Sequence, residues 1–273
     1  IGRFASSDTS NSLAISGYTE SIPAPVITSS LTASGKVGTS FNYNITASNT
    51  PSSYSATGLP TGLSINGTTG LISGTPTVAG NFDVTIGATN PTGTGTKTLV
   101  LTIAKADQTI TFGSLSAKTY GDASFALTGT SSSGLGLTYS SSDTNVATVS
   151  GSTVTIVGAG STTITASQSG DGNHNAATSV DQVLTINKKS LTITGLSAEN
   201  KTFDGTTAAT LTGAPSLVGV VGTDDVSLTG TPTATFASSS VGHAIAITVS
   251  GYSLTGAKAG DYELQQPSLV ADI

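Results

Sequence analysis

The sequence predicts an all-β protein built as three tandem antiparallel β-sandwiches in an elongated array, and three observations carry that reading. The chain repeats a phrase: Leu101-Thr102-Ile103-Ala104-Lys105 returns as Leu184-Thr185-Ile186-Asn187-Lys188, an interval of 83 residues (184 less 101). That period is longer than solenoid repeats and close to the length of one sandwich domain. The composition is rich in Thr, Val, Ser and Gly, with 33 Gly and 9 Pro, which suits half-buried pleated surfaces broken by frequent turns. Apolar residues alternate with period two in Val84-Thr85-Ile86, Val154-Thr155-Ile156-Val157 and Ile245-Ala246-Ile247-Thr248-Val249. This alternation favours folded sandwiches over a disordered Ser/Thr-rich spacer.

Several function classes are disfavoured by composition. Charged residues are 9% of the chain and the net charge is −6, too dilute and too acidic for a phosphate-binding face, so no nucleic acid is expected as a partner. Cysteine is absent, which removes disulfides and thiolate metal sites. No run approaches the length of apolar chain needed to span a bilayer, so no membrane insertion is expected in this fragment. The start, Ile1-Gly2-Arg3-Phe4, lacks the apolar core of a signal peptide, and the sequence reads as a piece of a longer protein.

Taken in order, residues 1–23 hold one plausible strand about Leu13-Ala14-Ile15 and a Pro-bounded exit at Ile22-Pro23-Ala24-Pro25, as the end of a preceding domain or a linker strand. The block 24–105 is centred on Gly58-Leu59-Pro60-Thr61-Gly62-Leu63-Ser64-Ile65-Asn66, then Thr69-Gly70-Leu71-Ile72-Ser73-Gly74-Thr75-Pro76. Asn66-Gly67 is a hairpin signal, because both residues tolerate positive φ, and it sets Leu63-Ser64-Ile65 beside Leu71-Ile72-Ser73. The motif resembles an immunoglobulin-like domain common in large bacterial surface proteins, and the resemblance implies an Ig-like or cadherin-like sandwich.

The block 106–188 carries Tyr139-Ser140-Ser141-Ser142-Asp143, Val146-Ala147-Thr148-Val149 and Gly160-Ser161-Thr162-Thr163-Ile164-Thr165-Ala166. That order resembles the bacterial Ig-like domains of intimin-type adhesins. Gly170-Asp171-Gly172-Asn173-His174-Asn175-Ala176-Ala177 is similar to a turn of bacterial surface-array repeats, with His174 where that pattern has Tyr. The block 189–273 carries Lys201-Thr202-Phe203-Asp204-Gly205-Thr206-Thr207, Gly219-Val220-Val221-Gly222-Thr223-Asp224-Asp225-Val226 and Gly260-Asp261-Tyr262. These landmarks closely resemble the domain named for Tyr-Asp-Gly (YDG), with Phe203 in place of the naming Tyr.

Junctions are short. Leu99-Val100-Leu101-Thr102-Ile103 leads through Ala104-Lys105-Ala106-Asp107 to Ile110, and Asn187-Lys188-Lys189 leads straight to Leu191, which restricts the swing of one block on the next. Catalytic motifs are missing, and the two histidines, His174 and His243, lie in different blocks. Asp171, Asn173 and Asn175 have the alternating spacing of the first ligands of a calcium loop, but Ala176 and Gln182 stand where that loop needs Gly and Glu. Asp204, Asp224 and Asp225 are the other Ca²⁺ candidates, each also suited to an ordinary turn. Lys36, Lys105, Lys188, Lys189 and Lys201 are candidates for isopeptide bonds, against the plainer reading of solvated lysines. Tyr54, Tyr120, Tyr139, Tyr252 and Tyr262 either stack on sugars from one exposed face or serve as core residues.

No enzyme is expected. The sequence points to a structural stalk or spacer from a large bacterial secreted or cell-surface adhesin-like protein, displaying a distal functional domain. The alternatives are a glycan- or protein-binding module, or a strand-exchanging filament or lattice subunit. Expected partners are neighbouring domains of the same protein, a host or surface glycan or protein, or a second copy by self-association. The localisation that fits is extracellular or the bacterial cell surface.

Overall fold

A computed structural model describes residues 22–273, so the strand expected about Leu13-Ala14-Ile15 lies outside the described residues. The chain divides into two compact units. One runs up to Asp107 and includes Asp171–Asn175; the other comprises Gln108–Gly170 and Ala176–Ile273. Both are all-β. A 3-10 turn, Ala259–Asp261, breaks the succession of strands, and among the described residues no helix is long and apolar enough to cross a membrane.

Among its described residues the first unit is a sandwich of seven strands: β1 (Thr32–Lys36), β2 (Phe41–Asn44), β3 (Ser53–Thr57), β4 (Leu63–Ile65), β5 (Leu71–Gly74), β6 (Gly80–Asn90) and β7 (Gly93–Ala104). One sheet has the order β1-β7-β6-β3 and the other β2-β5-β4. On β6 and β7 the period-two pattern sends Val84, Ile86, Leu99, Leu101 and Ile103 inward, while Thr85, Thr98 and Thr102 face out. Phe41, Ile45 and Ile72 close the core from the other side. Pairing is antiparallel except at β1, which runs parallel to β7 from Thr32↔Val100 to Lys36↔Ala104.

The expected hairpin forms, with Ile65 opposite Ile72, but its turn is not the two-residue type. The positive φ, 76°, falls at Gly70, not at Asn66-Gly67. Asn66 acts instead through its side chain: Oδ1 accepts hydrogen bonds from the N–H groups of Thr68 (3.0 Å) and Thr69 (3.1 Å), a local bond to which Asn is suited.

The second unit begins with β8 (Ile110–Thr111), β9 (Lys118–Thr119), β10 (Phe125–Ala126), β11 (Thr130–Ser131), β12 (Thr138–Ser141), β13 (Ala147–Ser150), β14 (Thr153–Ile156), β15 (Gly160–Ser167) and β16 (Val180–Asn187). It continues with β17 (Lys189–Ala198), β18 (Leu211–Val218), β19 (Ser227–Phe236), β20 (Ile245–Thr255), β21 (Tyr262–Gln265) and β22 (Ser268–Ala271). Up to Asn187 the sheets are β12-β15-β16-β9, β10-β14-β13 and the short pair β11-β8; beyond it they are β18-β17-β21 and β19-β20-β22. Here too one parallel pairing occurs in each half, β9 with β16 and β17 with β21.

The core of this unit does not stop at Asn187. Phe112, Tyr120, Val154, Ile164, Leu184 and Ile186 form one buried cluster with Leu191 and Tyr262, and a second cluster, about Phe236, Ile247 and Val249, lies further along. The break between the clusters coincides with bulges in both sheets. Register shifts between Thr194 and Leu196 on β17, and between Gly230 and Thr233 on β19. At each bulge two glycines face each other at positive φ: Gly195 (80°) with Gly213 (95°), and Gly230 (106°) with Gly251 (90°). A Cβ on Gly213 would lie 2.1 Å from the Gly195 oxygen, and one on Gly230 2.1 Å from the Gly251 oxygen, so no side chain fits. The first unit uses the same device. A Cβ on Gly62 would lie 2.0 Å from the Thr75 oxygen, and one on Gly74 2.1 Å from the Gly62 oxygen. In all three cases one strand reads Gly-x-Pro: Gly74-Thr75-Pro76, Gly213-Ala214-Pro215 and Gly230-Thr231-Pro232.

Candidate functional site

A polar arrangement that ties distant parts of the second unit together lies where β16 gives way to β17 with Lys188 alone between them. β9 pairs with the end of β16, and the N–H of Tyr120 donates to the Asn187 oxygen at 2.9 Å, which fixes Tyr120 beside the crossing. On the far side Lys189 at the start of β17 pairs with Tyr262 at the start of β21. The turn after β18 brings Asp224 up to the hydroxyls of both rings, its N–H bonded to the Val221 oxygen at 3.1 Å.

Asp224 Oδ2 accepts hydrogen bonds from the hydroxyls of Tyr120 (2.8 Å) and Tyr262. The Tyr262 hydroxyl in turn accepts the Val221 N–H at 2.9 Å. The rings meet edge to face, centroids 5.4 Å apart at 88°, a favoured aromatic geometry, with Tyr120 6% and Tyr262 3% exposed. Burial, then the carboxylate of Asp224, pushes both phenols up to about 12, because each disfavours a second negative charge.

A second tie lies alongside. Lys258 Nζ donates to the Val157 oxygen (2.9 Å) and to Asp261 Oδ2 (3.0 Å), and sits 5.3 Å above the Tyr120 ring centre. Asp261 Oδ1 accepts the Ala159 N–H at 2.7 Å. Space is tight: a Cβ on Gly121 would lie 2.6 Å from Val221 Cγ2, and one on Gly158 3.0 Å from Asp261 Oδ1. Chemically this is a clasp. Its carboxylates and phenols are spent on one another, and they join residues on both sides of Lys188.

The Ca²⁺ candidates disperse. The loop Asp171–Asn175 belongs to the first unit. Asp171 Oδ1 accepts from the N–H groups of Asn173 (2.8 Å) and His174 (2.7 Å) and lies 2.9 Å from His174 Nδ1. The Asn173 N–H, then the His174 ring, hold that carboxyl below the usual range. Asn173 Oδ1 accepts the Ala79 N–H at 2.9 Å, and Asn175 Nδ2 donates to Asp107 Oδ1 at 2.7 Å, so the three side chains turn to different partners. Asp225 turns away from Asp224 to accept the Ala257 N–H at 3.0 Å. Asp204 meets Lys201 Nζ at 2.8 Å and the Thr206 N–H at 2.8 Å. Lys201 Nζ also donates to the Thr206 oxygen and the Ala208 oxygen, each at 3.0 Å, so an ammonium fills the centre of this loop. No cluster of three or more His, Cys, Asp or Glu suited to a metal occurs among the described residues.

Lys36 pairs with Asp107, and Lys105 donates to the Asp171 oxygen at 2.6 Å. The five tyrosines singled out above pack in the cores and line no common exposed face. The clasp itself was missed in sequence, since Tyr120 stands 104 positions and Tyr262 38 positions from Asp224 and no linear pattern links them.

Two stretches of the chain match known domain families. Residues 24–104 match the family described as Putative Ig domain, and residues 187–269 match the YDG domain. The first match holds the Gly62/Gly74 contact, and the second holds the Lys201–Asp204 loop, Asp224 and Tyr262. No curated protein matches the chain. Among solved structures, a "putative alpha-galactosidase" of Bacteroides fragilis is 31% identical over 34% of this chain and 22% of its own, with a TM-score of 0.29. This chain therefore spans about a fifth of that protein's length. Human protocadherin-24 EC1-2 is 15% identical, covering 60% of this chain and 98% of its own, with a TM-score of 0.34. Drosophila N-cadherin EC1-4 is 9% identical, covering 92% and 76%, with a TM-score of 0.30.

Proposed function

We propose that this chain is a non-catalytic spacer: Ig-like sandwiches from a secreted or cell-surface bacterial adhesin-like protein, holding a distal functional domain away from its anchor. The observation that carries the reading is the clasp at Lys188. Two sandwiches joined by one residue share a buried cluster, and Asp224 is gripped by a tyrosine from each side. A joint of that kind resists bending, as a spacer requires and a mobile binding loop does not. The two family matches support it, since both fall on stretches that fold as β-sheets packed face to face.

Strand exchange is the less favoured alternative. The edge strands β18 and β19 carry Pro215 and Pro232 beside a bulge, and proline on an edge blocks pairing with an incoming strand. Small-angle scattering over a concentration series, with Ca²⁺ and then with chelator, tests the reading. An elongated monomer indifferent to chelation is the expected result. A compact particle sinks the spacer, growth with concentration returns the filament, and loosening on chelation revives the metal sites.

A further inference from the structure

The spacer reading says that the chain separates two things; the arrangement of β1 and β7 bears on whether it also holds them under tension. Among the described residues β1 is the first strand of the first unit and β7 the last, and they lie side by side and parallel. A pull on the two ends of this unit draws β1 backward by its start and β7 forward by its end. The strands are loaded along their length in opposite directions. Every hydrogen bond between them must then give at nearly the same moment, whereas strands pulled apart from one end lose their bonds one at a time.

The ladder is continuous. The Val100 N–H donates to the Leu31 oxygen at 2.8 Å and the Val37 N–H to the Ala104 oxygen at 3.0 Å, with Thr32 to Lys36 in register between. In a parallel pair the bonds are made by alternate residues, which places the N–H groups of Ala33, Gly35 and Val37 in the ladder and that of Ser34 on the open edge. β7 is held on its other side by β6, from Gly80↔Ile103 to Asn90↔Gly93, and its inner face carries buried Leu101 and Ile103. Ile103 and Phe41 close over Gly35, where an added Cβ would meet both at 3.0 Å. The ladder therefore has a rigid backing and little water access from the core side.

We propose that the β1–β7 pairing is a shear clamp that makes the first unit a load-bearing element. The inference rests on the spacer reading, in that a spacer between an anchor and a bound surface is the setting in which the clamp is loaded. Scattering tests the spacer and pulling tests the clamp, so either fails without the other.

The chain has no cysteine, so thiols introduced in pairs give unique handles in the full protein. Single-molecule pulling between Ile22→Cys and Ala104→Cys loads the clamp in shear. Pulling between Ser30→Cys and Thr98→Cys, both just ahead of the stretch in which the two strands pair, peels the same ladder in the unaltered fold. The first geometry is expected to give a high-force event that is lost in the second, since forced unfolding reports the barrier and not the equilibrium stability. Val37→Pro, which deletes a ladder bond, should weaken the shear event, while Ser34→Pro should leave it intact. Equal forces in the two directions overturn the proposal whatever the proline variants do, and so does a shear event untouched by Val37→Pro in a protein that remains folded.

Discussion

Asn90, 5% exposed, shows how one polar side chain ties the segment at Pro23 to the first sandwich. Its Nδ2 donates to the oxygens of Pro23 (2.8 Å) and Asn49 (2.9 Å), and its Oδ1 accepts the N–H of Thr92 at 3.0 Å and of Gly93 at 3.2 Å. Asn90→Ala strips partners from several of these groups at once and should cost about 1–3 kcal/mol, read as a lower denaturation midpoint for the first unit. Asp204 is the residue-scale pH probe. Lys201, then the Thr206 N–H, hold its carboxyl at about 2 against a usual 3.8. A depressed carboxyl contributes stability that is present above its usual value and is lost as pH falls toward 2. The protection of the amides of residues 201–208, taken relative to their intrinsic exchange rate at each pH, should therefore fall between about pH 4 and 2, and Lys201→Met should move that onset upward; protection flat across the window would show that the pair holds nothing. Sequence marked Asp204 as a turn or Ca²⁺ candidate. It could not place the ammonium of Lys201 among four oxygens, because that depends on how the loop closes.

At the scale of elements, the close glycine contact beside a Gly-x-Pro phrase recurs with the same physical content. Two backbones approach so closely at Gly62 and Gly74 that the Thr75 oxygen occupies the space a Cβ on Gly62 needs and the Gly62 oxygen the space a Cβ on Gly74 needs. Gly62→Ala combines that clash with an unfavourable φ of 95° and should cost about 2–4 kcal/mol, measured as loss of the β4–β5 amide protection. Gly38, also at positive φ but with nothing within 4 Å of its added Cβ, is the control and should cost less. This scale was the most legible in sequence. The Gly-Leu and Ser-Gly-Thr-Pro phrases marked the first sandwich, period-two runs marked β6, β14 and β20, and the repeated Leu-Thr-Ile phrase marked β7 and β16. What the pattern hid was the pairing of glycines across strands, and the parallel β1–β7 contact, because neither leaves a local trace. The Asn66 turn misled for a related reason: Asn-Gly is a strong local signal, but here the side chain of Asn66 captures two N–H groups and moves the positive φ to Gly70.

At the scale of the molecule, the 83-residue period implied cores that end at Lys188, and the buried cluster that runs through Leu191 and Tyr262 shows that one of them does not. Leu191 is fully buried and Tyr262 nearly so, and fully burying one such leucine is worth roughly 1.5–3 kcal/mol, lost if the two sides part. Residues beyond Lys188 therefore lean on those before it, and the second unit should unfold in one transition, with Tyr120 and Tyr262 reporting the same midpoint. Two well-separated transitions would contradict a shared core. The clasp predicts how that midpoint moves. Asp224→Ala leaves two buried hydroxyls without their acceptor and should destabilise the whole unit by about 2 kcal/mol, while Tyr120→Phe and Tyr262→Phe should cost about 1 kcal/mol each and combine non-additively with it. Because the phenols are raised to about 12 from a usual 10, their contribution is complete below pH 10 and is lost as pH climbs from 10 to 12. Alkaline titration followed by phenolate absorbance should thus show two late-ionising tyrosines whose ionisation coincides with unfolding of both sandwiches together; in the Asp224→Ala variant the same two should ionise earlier, since the carboxylate that opposed their charge is gone.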